Sequence, residues 1–341
     1  MHMQKLVVAG TIVLALAACG GGAQEGAEVM SGESAPSAAA AAAVDPGITA
    51  VGVLHINIAD MDRSVAWYQG VLGMETVRDS GGPSPTTIVA EDGAMMHTHV
   101  LKTPDDGFSM ELVEVSGIEV RPQTPSVQDP GAIMLALVVA DLDAVLAGAR
   151  RLGLTVISDG GDVVVTEERG RQAMVRDADG VVSYLSQASA PDAASVHHDF
   201  TFLSADNLEK TVAFYNGVFG LGLDTPGDLN PTPERIVKLT GSPALSTFRL
   251  TGADLFAGTD GALRFQEFGG AGKTPVRHRV QDPGGPILTM SVKDFAGVMQ
   301  RVEEYGGTIG DGATSATLAP DATVSWIRDP NGLLIRVSTA Q

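Results

Sequence analysis

The chain holds a single cysteine, Cys19, among 341 residues, so it cannot form an internal disulfide. Basic residues are scarce: 22 lysines and arginines stand against 41 acidic residues, a formal net charge of −19. A surface of that sign repels nucleic acid and anionic headgroups, and no basic stripe with interleaved aromatics offsets it, which excludes nucleic-acid binding. No Gly-x-Ser-x-Gly turn and no phosphate-cradling loop ahead of a helix occurs, so covalent catalysis lacks a nucleophile. The chain also lacks an apolar run of the roughly 20 residues that a membrane-spanning helix needs. The apolar stretch at residues 6–18 stops short of that length.

That stretch follows Lys5 and ends in small residues, which reads as an export signal over residues 1–18. It closes with Leu16-Ala17-Ala18-Cys19, a run that resembles the lipobox of bacterial lipoproteins, in which the cysteine is acylated and becomes the first residue of the mature chain. The competing reading is an uncleaved anchor with an incidental cysteine. Residues 20–46 are glycine, alanine, serine, glutamate and proline with almost no large apolar side chain, so 19–47 is expected to be a lipidated flexible tether reaching on the order of 30 Å. The expected location is the periplasmic face of a bacterial membrane, met only through the lipid. Gly20 after the cysteine resembles lipoproteins sent to the outer membrane.

The rest of the chain repeats itself. Val127-Gln-Asp-Pro-Gly131 recurs letter for letter at Val280-Gln-Asp-Pro-Gly284. Trp67-Tyr-Gln-Gly-Val-Leu-Gly73 answers Phe214-Tyr-Asn-Gly-Val-Phe-Gly220, and Arg176-Asp-Ala-Asp-Gly180 answers Arg328-Asp-Pro-Asn-Gly332. A second period of roughly 80 residues lies within each half, where Ala59-Asp-Met-Asp62 is echoed by Ala140-Asp-Leu-Asp143. Apolar periodicity predicts a strand at 51–58, a helix beginning after Asp60, then strands at 74–78, 95–103 and 109–115, the order β-α-β-β-β. The second module repeats it with a strand at 133–139, a helix over 142–152 and strands near 155–157, 163–166, 172–176 and 181–186. The third and fourth open with strands at 200–203 and 287–292 and helices over 208–215 and 295–305. Asp60, Asp141 and Asp294 read as helix caps, and Trp67, Tyr68, Phe214 and Tyr215 as core. His197 and His198 read as surface or linker, with at most one pointing inward, and His278 as solvated.

Paired modules with Tyr-x-x-Val-[Leu/Phe]-Gly after the first helix and Arg-Asp-x-[Asp/Asn]-Gly before the last strand resemble the vicinal oxygen chelate superfamily. That superfamily includes glyoxalase I, fosfomycin-resistance proteins and extradiol dioxygenases. The resemblance covers residues 48–341 and implies an α+β glyoxalase-like fold: four βαβββ modules in two paired half-barrels, a tandem duplication with domains at 48–190 and 195–341. Each half can complete such an arrangement within one chain, so a monomer suffices.

In that family the concave face of each half-barrel holds a divalent metal, with ligands from the first and last strands. The resemblance therefore implies His55 and Glu111 as ligands, with Glu111 also moving the proton in a metal-dependent lyase or isomerase. His97 and His99 share one face of the third strand. If the turn at 103–107 closes symmetrically, His99 stands across from Glu111, and His55, Glu111 and His99 converge on a site for Zn²⁺, Ni²⁺, Mn²⁺ or Fe²⁺. The alternative is a polar pocket lining without metal. The other ligand positions depart from the family: Met134 and Tyr184 in module two, Phe202 or Thr201 and Arg264 in module three, Ile287 and Arg336 in module four. These losses argue against an extradiol dioxygenase. Arg264 and Arg336 are expected to face one cavity and hold a carboxylate or phosphate of a small-molecule ligand, or to pair with Glu267 or Asp329. Two functions stay open: a glyoxalase-type metal enzyme, or a lipoprotein that binds a small molecule or a partner through a degenerate metal site.

Overall fold

The computed structural model describes residues 48–51, 53–89, 91–104, 108–189, 196–254, 262–310 and 324–339. The expected export signal, Cys19 and the tether lie outside them.

Module one comprises β1 (Ile48–Val51), β2 (Leu54–Ile58), α1 (Met61–Tyr68), β3 (Glu75–Asp79), β4 (Ser84–Pro85), β5 (Met95–Lys102) and β6 (Ser109–Ser116). Module two comprises β7 (Ile133–Val139), α2 (Leu142–Arg151), β8 (Thr155–Val156), β9 (Val164–Thr166), β10 (Gly170–Arg176) and β11 (Val182–Gln187). Module three runs β12 (Val196–Ala205), α3 (Leu208–Phe219), β13 (Asn230–Pro231), α4 (Glu234–Thr240), β14 (Thr247–Asp254) and β15 (Ala262–Gly269). Module four runs β16 (Pro286–Val292), α5 (Phe295–Glu304), β17 (Thr308–Ile309), β18 (Val324–Arg328) and β19 (Leu334–Thr339).

Each module's main helix starts on an acid or amide whose side chain accepts a backbone N–H in the first turn. Asp60 takes that of Arg63, Asp141 that of Ala144, Asn207 that of Lys210 and Asp294 that of Gly297. Helix α3 runs past its expected end at 215 because Gly217 is an interior position of the helix. A Cβ there would meet the Tyr305 ring at 2.2 Å, so this glycine sets how closely α3 and α5 approach.

The sheets join modules across the two halves of the chain. One has ten strands in the order β17-β18-β19-β16-β2-β6-β5-β3, with β1 on β16 and β4 on β5. The other has nine, in the order β13-β14-β15-β12-β7-β11-β10-β8, with β9 on β10. Module one therefore shares a sheet with module four, and module two with module three. Within each half the modules meet through their helices and turns instead. Tyr68 donates its hydroxyl to Asp177 at 2.8 Å, and Tyr215 donates to Asp329 at 3.3 Å. One hydrophobic cluster runs through all four modules and includes the fully buried Trp67, Tyr68, Phe214 and Tyr215, each worth roughly 1.5–3 kcal/mol by area. Two smaller clusters floor the opposite sheet faces.

Two histidines differ from expectation. His198 is 1 % exposed, its ring stacked 3.7 Å from Phe108, and burial pushes its imidazole down to about 3. His278 is fully buried rather than solvated. In both cases tertiary packing covers a position whose neighbours in sequence are polar.

The repeated Arg-Asp motif is structural. Asp177 accepts backbone N–H groups from Asp179 and Val181 at 3.0 and 2.9 Å as well as the Tyr68 hydroxyl. Burial, with the charge of Asp179 added, nevertheless raises its carboxyl to about 7, against the opposing pull of those hydrogen bonds. Burial likewise raises Asp329 to about 6. A carboxyl that holds its proton more tightly folded than unfolded lends stability that is complete below the unfolded value near 4 and is lost as pH rises through the folded value. Denaturant midpoints should thus fall between pH 4 and 7.5. Asp177→Asn keeps both accepted N–H bonds and can donate to the Tyr68 oxygen, so its midpoint should fall less over that window. Equal slopes for variant and parent in urea melts at several pH values would refute this.

Candidate functional site: two chemically different clefts

The first cleft lies on the sheet shared by modules one and four. Alternation along β2 buries Leu54, Ile56 and Ile58 in the main core and turns His55 and Asn57 to the other face. Along β6, Met110 and Leu112 enter the core, while Glu111, Val113 and Val115 line the cleft. Parallel pairing of β2 with β6 sets His55 beside Glu111, and His55 Nδ1 lies 2.9 Å from Glu111 Oε2. The second carboxylate oxygen accepts from Arg78 Nη2 at 3.1 Å. Burial opposes ionisation of Glu111, but the hydrogen bond with His55 and the charges of His55 and Arg78 outweigh it and hold the carboxyl below its usual range. Module four contributes Ile287, Trp326 and Arg336 to the same cavity of about 480 Å³. No carboxylate among the described residues pairs with Arg336. Asn57, 1 % exposed, has neither amide atom hydrogen-bonded among the described residues.

His99 does not join this group. The β5–β6 register places Val100 opposite Glu111 and His99 opposite Leu112, one residue away from a symmetric closure. That offset turns His99 to the other face, where its Nε2 meets Thr76 Oγ1 at 2.8 Å and its Nδ1 lies 3.8 Å from Asp79. His97 bonds Asp79 at 2.9 Å on the same side. An irregularity in the β3–β5 pairing between Thr76 and Arg78 lets Thr76 and Asp79 face these histidines while Arg78 reaches the cleft. Sequence reasoning missed Arg78, since nothing in residues 75–79 announces the bulge.

These residues do not fit a divalent-metal centre. Only His55 and Glu111 are ligand types in the cleft, Glu111 is occupied by a guanidinium, and the two positions facing them carry Ile287 and Arg336. Among the described residues no group of three or more His, Cys, Asp or Glu side chains is placed to hold a metal ion. A dication there would meet two arginines at close range.

The second cleft, on the sheet of modules two and three, is about 700 Å³ and holds Met134, Tyr184, Phe202 and Arg264. Arg264 and Arg336 therefore sit in different clefts, because the modules pair across the halves. Nor do they take the expected acids: Glu267 pairs with Arg249 at 2.7 Å, and Asp329 is engaged by Tyr215 and Asn331. Arg264 lies over the Phe200 ring, 5.1 Å from its centroid. Tyr184 hydrogen-bonds Gln172, and Arg235 donates to Gln172 Oε1 at 3.1 Å and to the Tyr184 hydroxyl at 3.3 Å. Arg235 comes from α4, which the sequence reading did not foresee. The available signal was Pro233 ahead of an i,i+4 pair, Glu234 with Lys238, 2.7 Å apart.

A sequence profile of the Glyoxalase/Bleomycin resistance protein/Dioxygenase superfamily matches residues 50–183 and again 197–337. Among solved structures, glyoxalase I from Zea mays is 15 % identical, with a TM-score of 0.55 over 85 % of this chain and 92 % of that one. A point variant of the same maize enzyme gives 15 % identity and a TM-score of 0.55, over 85 % of this chain and 93 % of its own. Identities this low establish the fold alone. No curated protein sequence matches the chain.

Proposed function

Because the chain belongs to the glyoxalase/bleomycin resistance protein/dioxygenase superfamily but sets guanidiniums where that fold is expected to place metal ligands, we propose that it binds a small organic anion in the cleft of modules one and four. The observation that carries this reading is Arg336, a cation without a carboxylate partner among the described residues, in a cavity whose apolar lining includes Ile287, Val280, Val113, Val115 and Trp326. Glu111 does not cancel it, since His55 and Arg78 already engage both of its oxygens. A local surplus of positive charge in a chain of net charge −19 draws anions to that one place. Asn57 offers a buried amide to the bound group. The ligand chemistry that matches is an apolar body carrying a carboxylate or phosphate.

The protein would do this as an exported lipoprotein, acylated at Cys19 and held by its tether at the periplasmic face, with the outer membrane favoured by Gly20. Cys19→Ser should then move it from the membrane pellet to the supernatant. Trp326 supplies the ligand readout. Titration with 4-methylpentanoate should change its fluorescence, and Arg336→Leu should weaken binding tenfold or more, the scale of a charge-assisted hydrogen bond of about 1.5–3 kcal/mol. Elemental analysis of the same preparation separates the alternative. One metal per chain, lost in both His55→Ala and Glu111→Gln, would replace the anion-binding reading with a metal-dependent lyase or isomerase.

A further inference from the structure

The chain has only ten phenylalanines, and four of them, Phe200, Phe202, Phe248 and Phe268, line the second cleft. The first cleft has Trp326 as its one aromatic. The four rings form two pairs, Phe248 with Phe268 at 5.2 Å and Phe200 with Phe202 at 6.0 Å between centroids. Phe200, Phe202 and Phe248 are only half-buried, so each keeps ring surface toward the cavity, above a floor that includes Met134 and Met174. Formal charge along the wall balances: Arg169, Arg235 and Arg264 against Glu167, Glu168 and Asp199. The cleft therefore selects for neither sign, in contrast to the first.

Three of its polar side chains are gathered at one place. Gln172 gives its two donors to Tyr184 and to Ser186 Oγ at 3.3 Å and accepts from Arg235, which leaves one lone pair on its Oε1, the Tyr184 hydroxyl proton and the other Arg235 N–H groups for a ligand. The three already bond one another, which fixes their positions before a ligand arrives. Helix α4 brings Arg235 there, and it is anchored by Leu239, fully buried in the cluster with Met134 and Met174. Aromatic faces beside a compact donor–acceptor group, in a cavity of small-molecule size without net charge, match one ligand chemistry.

We infer that the cleft of modules two and three is a second, separate ligand site, which takes a planar, uncharged aromatic molecule with an N–H and C=O edge. The ring system lies against Phe200, Phe202 and Phe248, and its polar edge meets Gln172, Tyr184 and Arg235. The site shares no lining residue with the anion cleft, so the two stand or fall independently.

Calorimetric titration of the full-length protein with 2-quinolone, a planar bicyclic lactam, tests this against cyclohexanecarboxamide, an amide without an aromatic face. The expected result is 1:1 binding of 2-quinolone, at least fivefold tighter than the aliphatic amide. Phe248→Ala and Arg235→Met should each weaken it about fivefold while melting temperature and circular dichroism stay near those of the parent. Arg336→Leu should leave it unchanged, and Trp326 fluorescence should not respond. The inference is overturned by no binding heat with 2-quinolone, coumarin or indole. It is equally overturned by equal affinity for the aliphatic amide, or by binding that survives both cleft variants and is lost in Arg336→Leu.

Discussion

Residues 48–190 produced alone should fail to give a folded monomer, although they hold two complete modules. In the full chain β7 pairs with β12 over a register that runs from Ile133 opposite Leu203 to Val139 opposite Val196. Strand β2 meets β16, with Pro286 opposite Ile56 and Ile287 opposite His55. Both partners belong to the second half. Removing it turns β2 and β7 into edge strands, and β7 is apolar on both faces, with Met134, Leu135, Ala136, Leu137 and Val139 all at or below 6 % exposure. An unpaired strand of that composition recruits another. The half should elute as a dimer, each copy covering the other's open strands, or aggregate. Co-production with residues 195–341 should restore a 1:1 complex that melts near the intact chain, because no residue of either sheet is then missing. A monomeric first half with a cooperative melt, seen by light scattering and calorimetry, would show that modules one and two do not need their sheet partners from the second half.

This pairing marks how far the sequence alone reaches. Period-two alternation and the Asx caps made modules one and two readable throughout and the opening strand and helix of modules three and four, so β7 coincides with its expected span and the α2 and α5 boundaries fall within a residue of theirs. Repeats announce that copies exist, but either pairing of four like modules satisfies the same repeats. Which sheet edges join is decided by turns and interfaces that leave no local signature. The site shows the same division. His55 and Glu111 were identified through the family resemblance, which looks for ligands on the first and last strands of a module, and the parallel pairing of β2 with β6 brings the two together. His99 was misplaced by one residue of hairpin register, which in a strand reverses the face. Arg78 depends on an irregular pairing and Arg235 on a seven-residue helix, both too short to carry a periodic pattern.

The repeated Val-Gln-Asp-Pro-Gly segment yields the second large effect, because its two glycines do not stand in equal space. Both adopt the left-handed region, with φ of 86° at Gly131 and 82° at Gly284. Each donates its N–H to a first-strand residue of the partner module, Gly131 to Ser204 and Gly284 to Asn57, both at 2.8 Å. A Cβ at Gly131 would find Asn331 O at 3.3 Å, which a small shift relieves. At Gly284 it would lie 2.2 Å from Gln123 O and 2.3 Å from Asp179 O, backbone atoms of two residues whose N–H groups are bonded to Pro283 O and to the Asp177 carboxylate. Asp179 in turn caps Ala59 and bonds Ser64, so relief would have to move the entry to α1. Gly131→Ala should cost about 1–2 kcal/mol, the conformational penalty alone. Gly284→Ala adds a steric penalty of similar size and should cost about 3 kcal/mol or more, lowering the melting temperature by roughly 5–10 °C. Because Gly284 holds Asn57 from behind, the same variant should weaken anion binding in the first cleft and leave the second cleft's ligand almost unaffected. Equal losses for the two glycine variants would mean that backbone conformation, rather than the crossing of modules one and four, dictates the motif.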